Sequence, residues 1–248
     1  ACTTDTLQIL GDSSCIAYYK MSDASDESGS YNGTPSNVNF NVEGKYGLAG
    51  DFNGASSNGS EISIADANVF SPVNNNLSFS CWIKTTVGNT YIASKLDDGG
   101  GAYEWGFFTN TNGTIQILCH SSGGSGTAAT VASSQTTALD GNWNQVGFVI
   151  DYGNSVTVYV NGVGTTSTSW SGIMTNTSVP VLLGAATNIP AARMLGSIDQ
   201  VRIFNKALTS TEVTTLYNEV QCVSAIVPSE HFQTITYTGN GGTQSTNS

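Results

Sequence analysis

The sequence predicts an all-β protein: two antiparallel sheets stacked as a sandwich, with one short C-terminal helix. Three observations carry this. Apolar and polar residues alternate through many short segments, the period of a strand with one face on a core. Gly, Asn, Asp and Ser interrupt those segments at short intervals, as turns require. Helix-forming composition is missing: only 10% of the 248 residues are charged, and about a third are Ser, Thr or Asn. Two sheets that each carry one apolar face hide both by stacking.

The elements follow in chain order. Residues 15–21 (CIAYYKM) form an apolar run that reads as the first strand, and 22–37 (SDASDESGSYNGTPSN) read as turn. Strands are then predicted at 38–42, 47–53, 60–64, 77–85, 90–95, 103–109, 114–120 and 126–132. Four more follow at 144–152, 155–160, 179–184 and 195–204. In LSFSCWI, Leu77, Phe79, Cys81 and Ile83 share a face; in SVTVYV, Val156, Val158 and Val160 do. Asn161-Gly162 directly follows that second segment. Both residues tolerate positive φ, so YVNGVGTTS reads as strand, tight turn, strand. The one helix is predicted over 208–217. Thr209 and Glu212 have capping-box spacing, and Val213, Leu216 and Tyr217 fall on one face.

Composition excludes several functions. With 7 basic and 18 acidic residues the formal charge is −11. A polyanion finds few cations to pair with, so nucleic acid is not an expected partner. No run of about 18 apolar residues occurs, so no membrane insertion is expected. The five cysteines, Cys2, Cys15, Cys81, Cys119 and Cys222, contain no C-x-x-C pair, which removes zinc-knuckle and dithiol chemistry. Cys81 and Cys119 fall on predicted strands as small hydrophobes. Cys2, Cys15 and Cys222 lie near the chain's ends, which leaves room for a staple between two of them.

The order of motifs resembles the laminin G-like, concanavalin A-like jelly-roll domains, in particular their bacterial and phage subgroup (LamG-like, pentraxin-like). The residues that carry the resemblance are Ala17-Tyr18-Tyr19-Lys20-Met21, Asp26-Glu27-Ser28-Gly29, Asp51-Phe52-Asn53-Gly54 and Phe79-Ser80-Cys81-Trp82-Ile83-Lys84. The most specific segment is Gly196-Ser197-Ile198-Asp199-Gln200-Val201-Arg202-Ile203-Phe204-Asn205-Lys206-Ala207-Leu208, with Glu212 and Leu216-Tyr217 after it. It implies a jelly-roll sandwich over residues 15–221, with 1–14 as an N-terminal segment and 222–248 as a linker or the start of a further domain. A second, shorter resemblance, from His231 to Ser245, is to a segment that follows LamG-like modules in phage and marine-virus virion proteins.

The resemblance also implies a structural Ca²⁺ near the sandwich edge. The matching positions are Asp26, Asp51, Asn53 and Asp199, with Asn53 where the family commonly has Asp. Calcium takes six to eight oxygen ligands, so the loss of one carboxylate weakens such a site. The competing reading is that Asp26 and Asp199 accept backbone amides within turns. For glycan recognition, which needs aromatic faces beside amide or carboxylate groups, the candidates are Tyr103, Glu104, Trp105 and Trp170. Trp82 and Trp143 are expected in the core. Catalysis is not expected: glycoside hydrolysis needs two facing carboxylates, and no E-x-D-x-E spacing occurs. His120 and His231 lie in no catalytic motif.

Together these readings predict a non-catalytic jelly-roll module of a virion or fibre protein, acting in surface recognition, glycan binding or assembly. Its expected partners are a host-surface or matrix glycan, other virion proteins, or copies of itself, and its expected place is a virion surface or the extracellular space. The alternatives are a purely structural decoration domain and a carbohydrate-binding module of a secreted polysaccharide-degrading enzyme.

Overall fold

The computed structural model describes residues 7–121, 126–170 and 174–220. Cys2, Cys222 and the segment from His231 to Ser245 lie outside the described residues, so the end staple involving them and the virion-type resemblance do too.

Among the described residues fifteen strands form two antiparallel sheets. They are β1 (Cys15–Tyr19), β2 (Gly33–Ser36), β3 (Asn39–Glu43), β4 (Leu48–Asn53), β5 (Glu61–Ile64), β6 (Leu77–Lys84), β7 (Tyr91–Asp97) and β8 (Ala102–Thr109). After them come β9 (Ile115–His120), β10 (Thr127–Ala132), β11 (Asn144–Asp151), β12 (Ser155–Val160), β13 (Val163–Ser167), β14 (Val181–Leu183) and β15 (Leu195–Phe204). Helix α1 (Ser210–Tyr217) closes the described chain. One sheet has eight strands in the order β13-β12-β11-β6-β15-β4-β3, with β1 also paired to β15. The other has seven, β10-β9-β8-β7-β14-β5-β2. Consecutive strands pair at the sheet ends (β13-β12-β11, β4-β3 and β10-β9-β8-β7), while β11-β6, β6-β15, β15-β4 and β7-β14 join strands distant in sequence, the interleaving of a jelly roll.

The predicted strands fall where alternation placed them. Asn161 (φ 51°) and Gly162 (φ 79°) form the tight turn between β12 and β13. One strand, β2, lies within the segment 22–37 that the sequence predicts as turn. Its sequence, Gly-Thr-Pro-Ser, has no apolar alternation because it lies at a sheet edge, largely exposed and paired only to β5. Pro35 is tolerated there, where one side of the strand needs no donor.

The core lies between the sheets. Phe79 stacks on Phe148 at 5.6 Å, and Phe107 and Trp105 meet Phe148 at 5.2 and 5.3 Å. A second apolar cluster forms on the outer side of the eight-stranded sheet. There Leu208, Val213 and Leu216 of the α1 region cover Tyr18, Val149, Tyr159 and Phe204, with Leu7, Ile9 and Leu10 alongside. This explains why β6 is buried on both faces except at Lys84, although its sequence alternates. Arg202 of β15 makes a bidentate pair with Glu219 (2.8 and 2.9 Å) inside the same region, and its guanidinium lies over Tyr18. Cys15, Cys81 and Cys119 are buried and unpaired. Burial pushes the Cys15 and Cys119 thiols up to about 12, so they behave as small hydrophobes rather than nucleophiles.

Candidate functional site

The outer face of the seven-stranded sheet differs from that of its partner. Helix α1 packs on the eight-stranded sheet, and the seven-stranded one keeps partly exposed aromatic rings. Trp105 and Phe107 of β8 point into the core, so Gly106 and Phe108 point out. Ile117 and Cys119 of β9 point in, so Gln116, Leu118 and His120 point out. Tyr91 on β7 pairs with Phe108, and their rings meet at 5.4 Å. Gly106 lies beside them: a Cβ there would come within 2.9 Å of the Tyr91 ring and 3.2 Å of Leu96. The missing side chain lets the Tyr91 ring lie across the strand, and with Phe108, tilted at 53° to it, it makes an aromatic floor. At one end of this floor the Tyr103 ring lies 4.9 Å from that of His120. At the other, Asn110 donates to Gln116, whose amide in turn donates to Thr130.

The floor is edged by the turn Asp97–Gly101. Asp97 accepts from Asn188 (2.6 Å) and from the Gly100 amide (3.0 Å), which holds its carboxyl below the usual range. Asp98 accepts from the Tyr103 hydroxyl at 2.7 Å, and that bond, with the nearby charge, raises the Tyr103 hydroxyl. Tyr91 is raised first by burial and then by the Asp98 charge.

The four residues expected to contact sugar are not brought together. Tyr103 lies on this face. Glu104 and Trp105 do not: they are 0% and 1% exposed. The register shifts between Lys95 and Leu96, leaving an extra residue on β8, and this bulge turns both side chains inward. Trp105 donates its indole N–H to the Phe70 carbonyl (3.1 Å). Glu104 pairs with buried Lys95 at 2.9 Å and accepts from the Thr177 amide and hydroxyl. The expectation that these two present themselves to a ligand is therefore corrected. Trp170 is partly buried, edge-on to Tyr152 at 5.2 Å. Sequence reading missed Tyr91, Phe108, Gly106 and Gln116. For Phe108, Gly106 and Gln116 the available signal was the out-facing half of the alternation in YEWGFFT and TIQILCH; Tyr91 shares the phase of buried Ala93 in YIASK and faces out only because the register shifts between them.

The residues expected to hold calcium do not fit that ion as arranged. Asp26 is 4% exposed, and its carboxylate accepts from the amides of Tyr18, Ser28 and Tyr31. Asn53 Oδ1 accepts from the amides of Ala55 and Ser60. Asp51 accepts from the Ser197 hydroxyl (3.0 Å). Asp199 accepts from the Tyr46 amide at 2.9 Å through Oδ2. Among the described residues no group of three or more His, Cys, Asp or Glu could hold a metal ion. Asp51 and Asn53 do line a rim cleft of about 330 Å³ with Lys84, Thr85 and Leu195. The aromatic residue in its wall, Phe52, is fully buried, so the cleft has no ring face to stack a sugar on.

Residues 56–214 match the Laminin_G_3 family, described as the concanavalin A-like lectin/glucanases superfamily. The chain belongs to that family. No curated protein sequence matches it. Among solved structures, it is similar to the binding domain of Paraclostridial Mosquitocidal Protein 1, at 15% identity and TM-score 0.68, covering 86% of this chain and 53% of that one. It is similar to domain 4 of AbnA, an extracellular GH43 arabinanase of Geobacillus stearothermophilus solved with arabinotriose, at 23% identity and TM-score 0.61, covering 82% and 98%. It is also similar to a structure of botulinum neurotoxin type C, whose cell entry depends on interaction with two ganglioside molecules, at 16% identity and TM-score 0.64, covering 84% and 52%. The chain thus spans about half the length of the two toxin chains and nearly all of the arabinanase domain.

Proposed function

We propose that this chain is a non-catalytic glycan-binding module that uses the outer face of its seven-stranded sheet. The observation that carries the reading is the half-exposed Tyr91–Phe108 ring pair, tilted at 53° over Gly106, with Tyr103 and His120 on the same face. Sugar rings offer C–H patches that stack on such faces, while Gln116 and Asp98 supply donors and acceptors for hydroxyls. The arabinanase domain with arabinotriose, and the toxin whose entry depends on gangliosides, lend support as proteins of like fold that engage glycans. Binding without cleavage is favoured by the fate of Glu104: neutralised against Lys95 in the interior, it has no role as a general acid at a surface. An extracellular setting fits a domain like that of the extracellular arabinanase. Display on a virion or fibre is the finer placement we propose, on the strength of the segment from His231 to Ser245.

A glycan array followed by affinity measurement on Tyr91→Ala and Phe108→Ala tests this. Each variant is expected to lose about tenfold in affinity, the equivalent of about 1.4 kcal/mol, with Trp170→Ala as a control that keeps binding. Retained affinity in both platform variants overturns the site. Silence of the unmodified chain across the array favours a structural decoration domain instead.

A further inference from the structure

We propose that the aromatic face selects neutral polyhydroxylated chains and discriminates against carboxylated or sulfated ones; this rests on the glycan-platform reading above. The argument is an inventory of positive charge. The chain has 7 Lys and Arg residues in all, and every one is among the described residues. Lys95 is fully buried between Asp66 (2.7 Å) and Glu104 (2.9 Å). Arg202 is buried against Glu219. Lys20 pairs with Glu27, and Lys206 with Asp12 and Glu212. Arg193 pairs with Glu61 at 2.7 Å, on β5, two strands beyond β7 in the sheet order. Lys45 and Lys84 remain. Both belong to the eight-stranded sheet's side of the sandwich: Lys45 lies over Trp82 at 4.3 Å, and Lys84 lines the rim cleft.

The platform therefore faces solvent with no Lys or Arg available to meet an anionic substituent, and its one histidine, His120, is only 6% exposed. It has the opposite at its edge. Asp97 and Asp98 stand on the turn beside Tyr103, and Asp98 is close enough for its charge to act on both Tyr103 and Tyr91. A carboxylate acceptor favours ligands that donate, and the hydroxyls of neutral sugars donate. A sugar carboxylate or sulfate placed on the same rings brings a like charge toward Asp98 at short range, where screening is incomplete.

The test uses the full chain and matched soluble pairs that share a backbone: methyl-esterified and de-esterified pectin, dextran and dextran sulfate, neutral and carboxymethylated arabinan. Affinity is measured at about 0.01 M and about 1 M ionic strength, where the Debye length falls from about 30 to about 3 Å. The expected result is that the neutral member of a pair binds, and its anionic partner binds at least about tenfold more weakly at low salt. That gap narrows at high salt, and it narrows at low salt in Asp98→Asn. Equal or tighter binding of the anionic member at low salt overturns the selectivity and leaves the platform standing. A gap that ignores both salt and Asp98→Asn overturns its electrostatic cause. Binding of neither member in any pair removes the platform reading and this inference with it.

Discussion

Asp199 is 0% exposed, on the outer side of the eight-stranded sheet, under the turn that joins β3 to β4. A Cβ on Gly44 would come within 2.6 Å of its Oδ2, so the turn closes on the carboxyl itself. Burial pushes this group up to about 7, and the Tyr46 amide offsets the shift only in part. Between about pH 4 and about pH 7 the folded chain thus holds a proton that the unfolded chain has released. The contribution to stability is complete below the unfolded pKa and is lost as pH rises through the folded one. Asp199→Asn keeps an acceptor for Tyr46 without the charge. Its stability relative to the unmodified chain is expected to rise by several kcal/mol between about pH 4 and about pH 8 in denaturant titrations. A difference that stays flat with pH would show that this carboxyl is not the titrating group. The residue type was legible in the sequence as one that meets amides in a turn. Its enclosure was not, because the lid comes from Gly44–Gly47, about 150 positions away in the chain.

At the scale of elements, α1 shows how much a local pattern specifies. Thr209 accepts from the Glu212 amide and Glu212 returns a bond to the Thr209 amide, as the spacing predicts. The helix has only 8 residues, too short to persist alone, so its packing on Tyr18, Tyr159 and Phe204 maintains it. Thr209→Ala is expected to cost about 1 kcal/mol, and to lower the melting temperature by about 2–4 °C in a chain of this size. A loss much above about 2 kcal/mol would mean that Thr209 supports more than the cap. The β7–β8 pair shows the reverse case. Alternation in YEWGFFT fixes a strand and its period, but the bulge opposite Lys95 and Leu96 shifts the phase partway along. Glu104 and Trp105 then turn inward together, which a strict period of two does not allow. Such a phase shift depends on the partner strand, so no reading of β8 alone reveals it.

The whole molecule is a sandwich with unequal outer faces: one padded by α1 and the segment from Leu7 to Leu10, the other presenting Tyr91, Phe108 and Tyr103. Its carboxylates at the expected calcium positions are spent on amides and hydroxyls rather than gathered. The melting midpoint is therefore expected to be the same in excess chelator as in excess calcium. A rise in calcium would show that these groups regroup around the ion.

By itself the sequence determined the fold class, the strand positions other than β2, the capped helix and the poverty of positive charge. Those follow from local periodicity, turn chemistry and composition, which act over a few residues. Only the tertiary structure decided which face of each strand meets solvent, which aromatics share a surface, and where the seven cations lie. Those depend on register, on the two bulges between β7 and β8 and on pairings between distant strands.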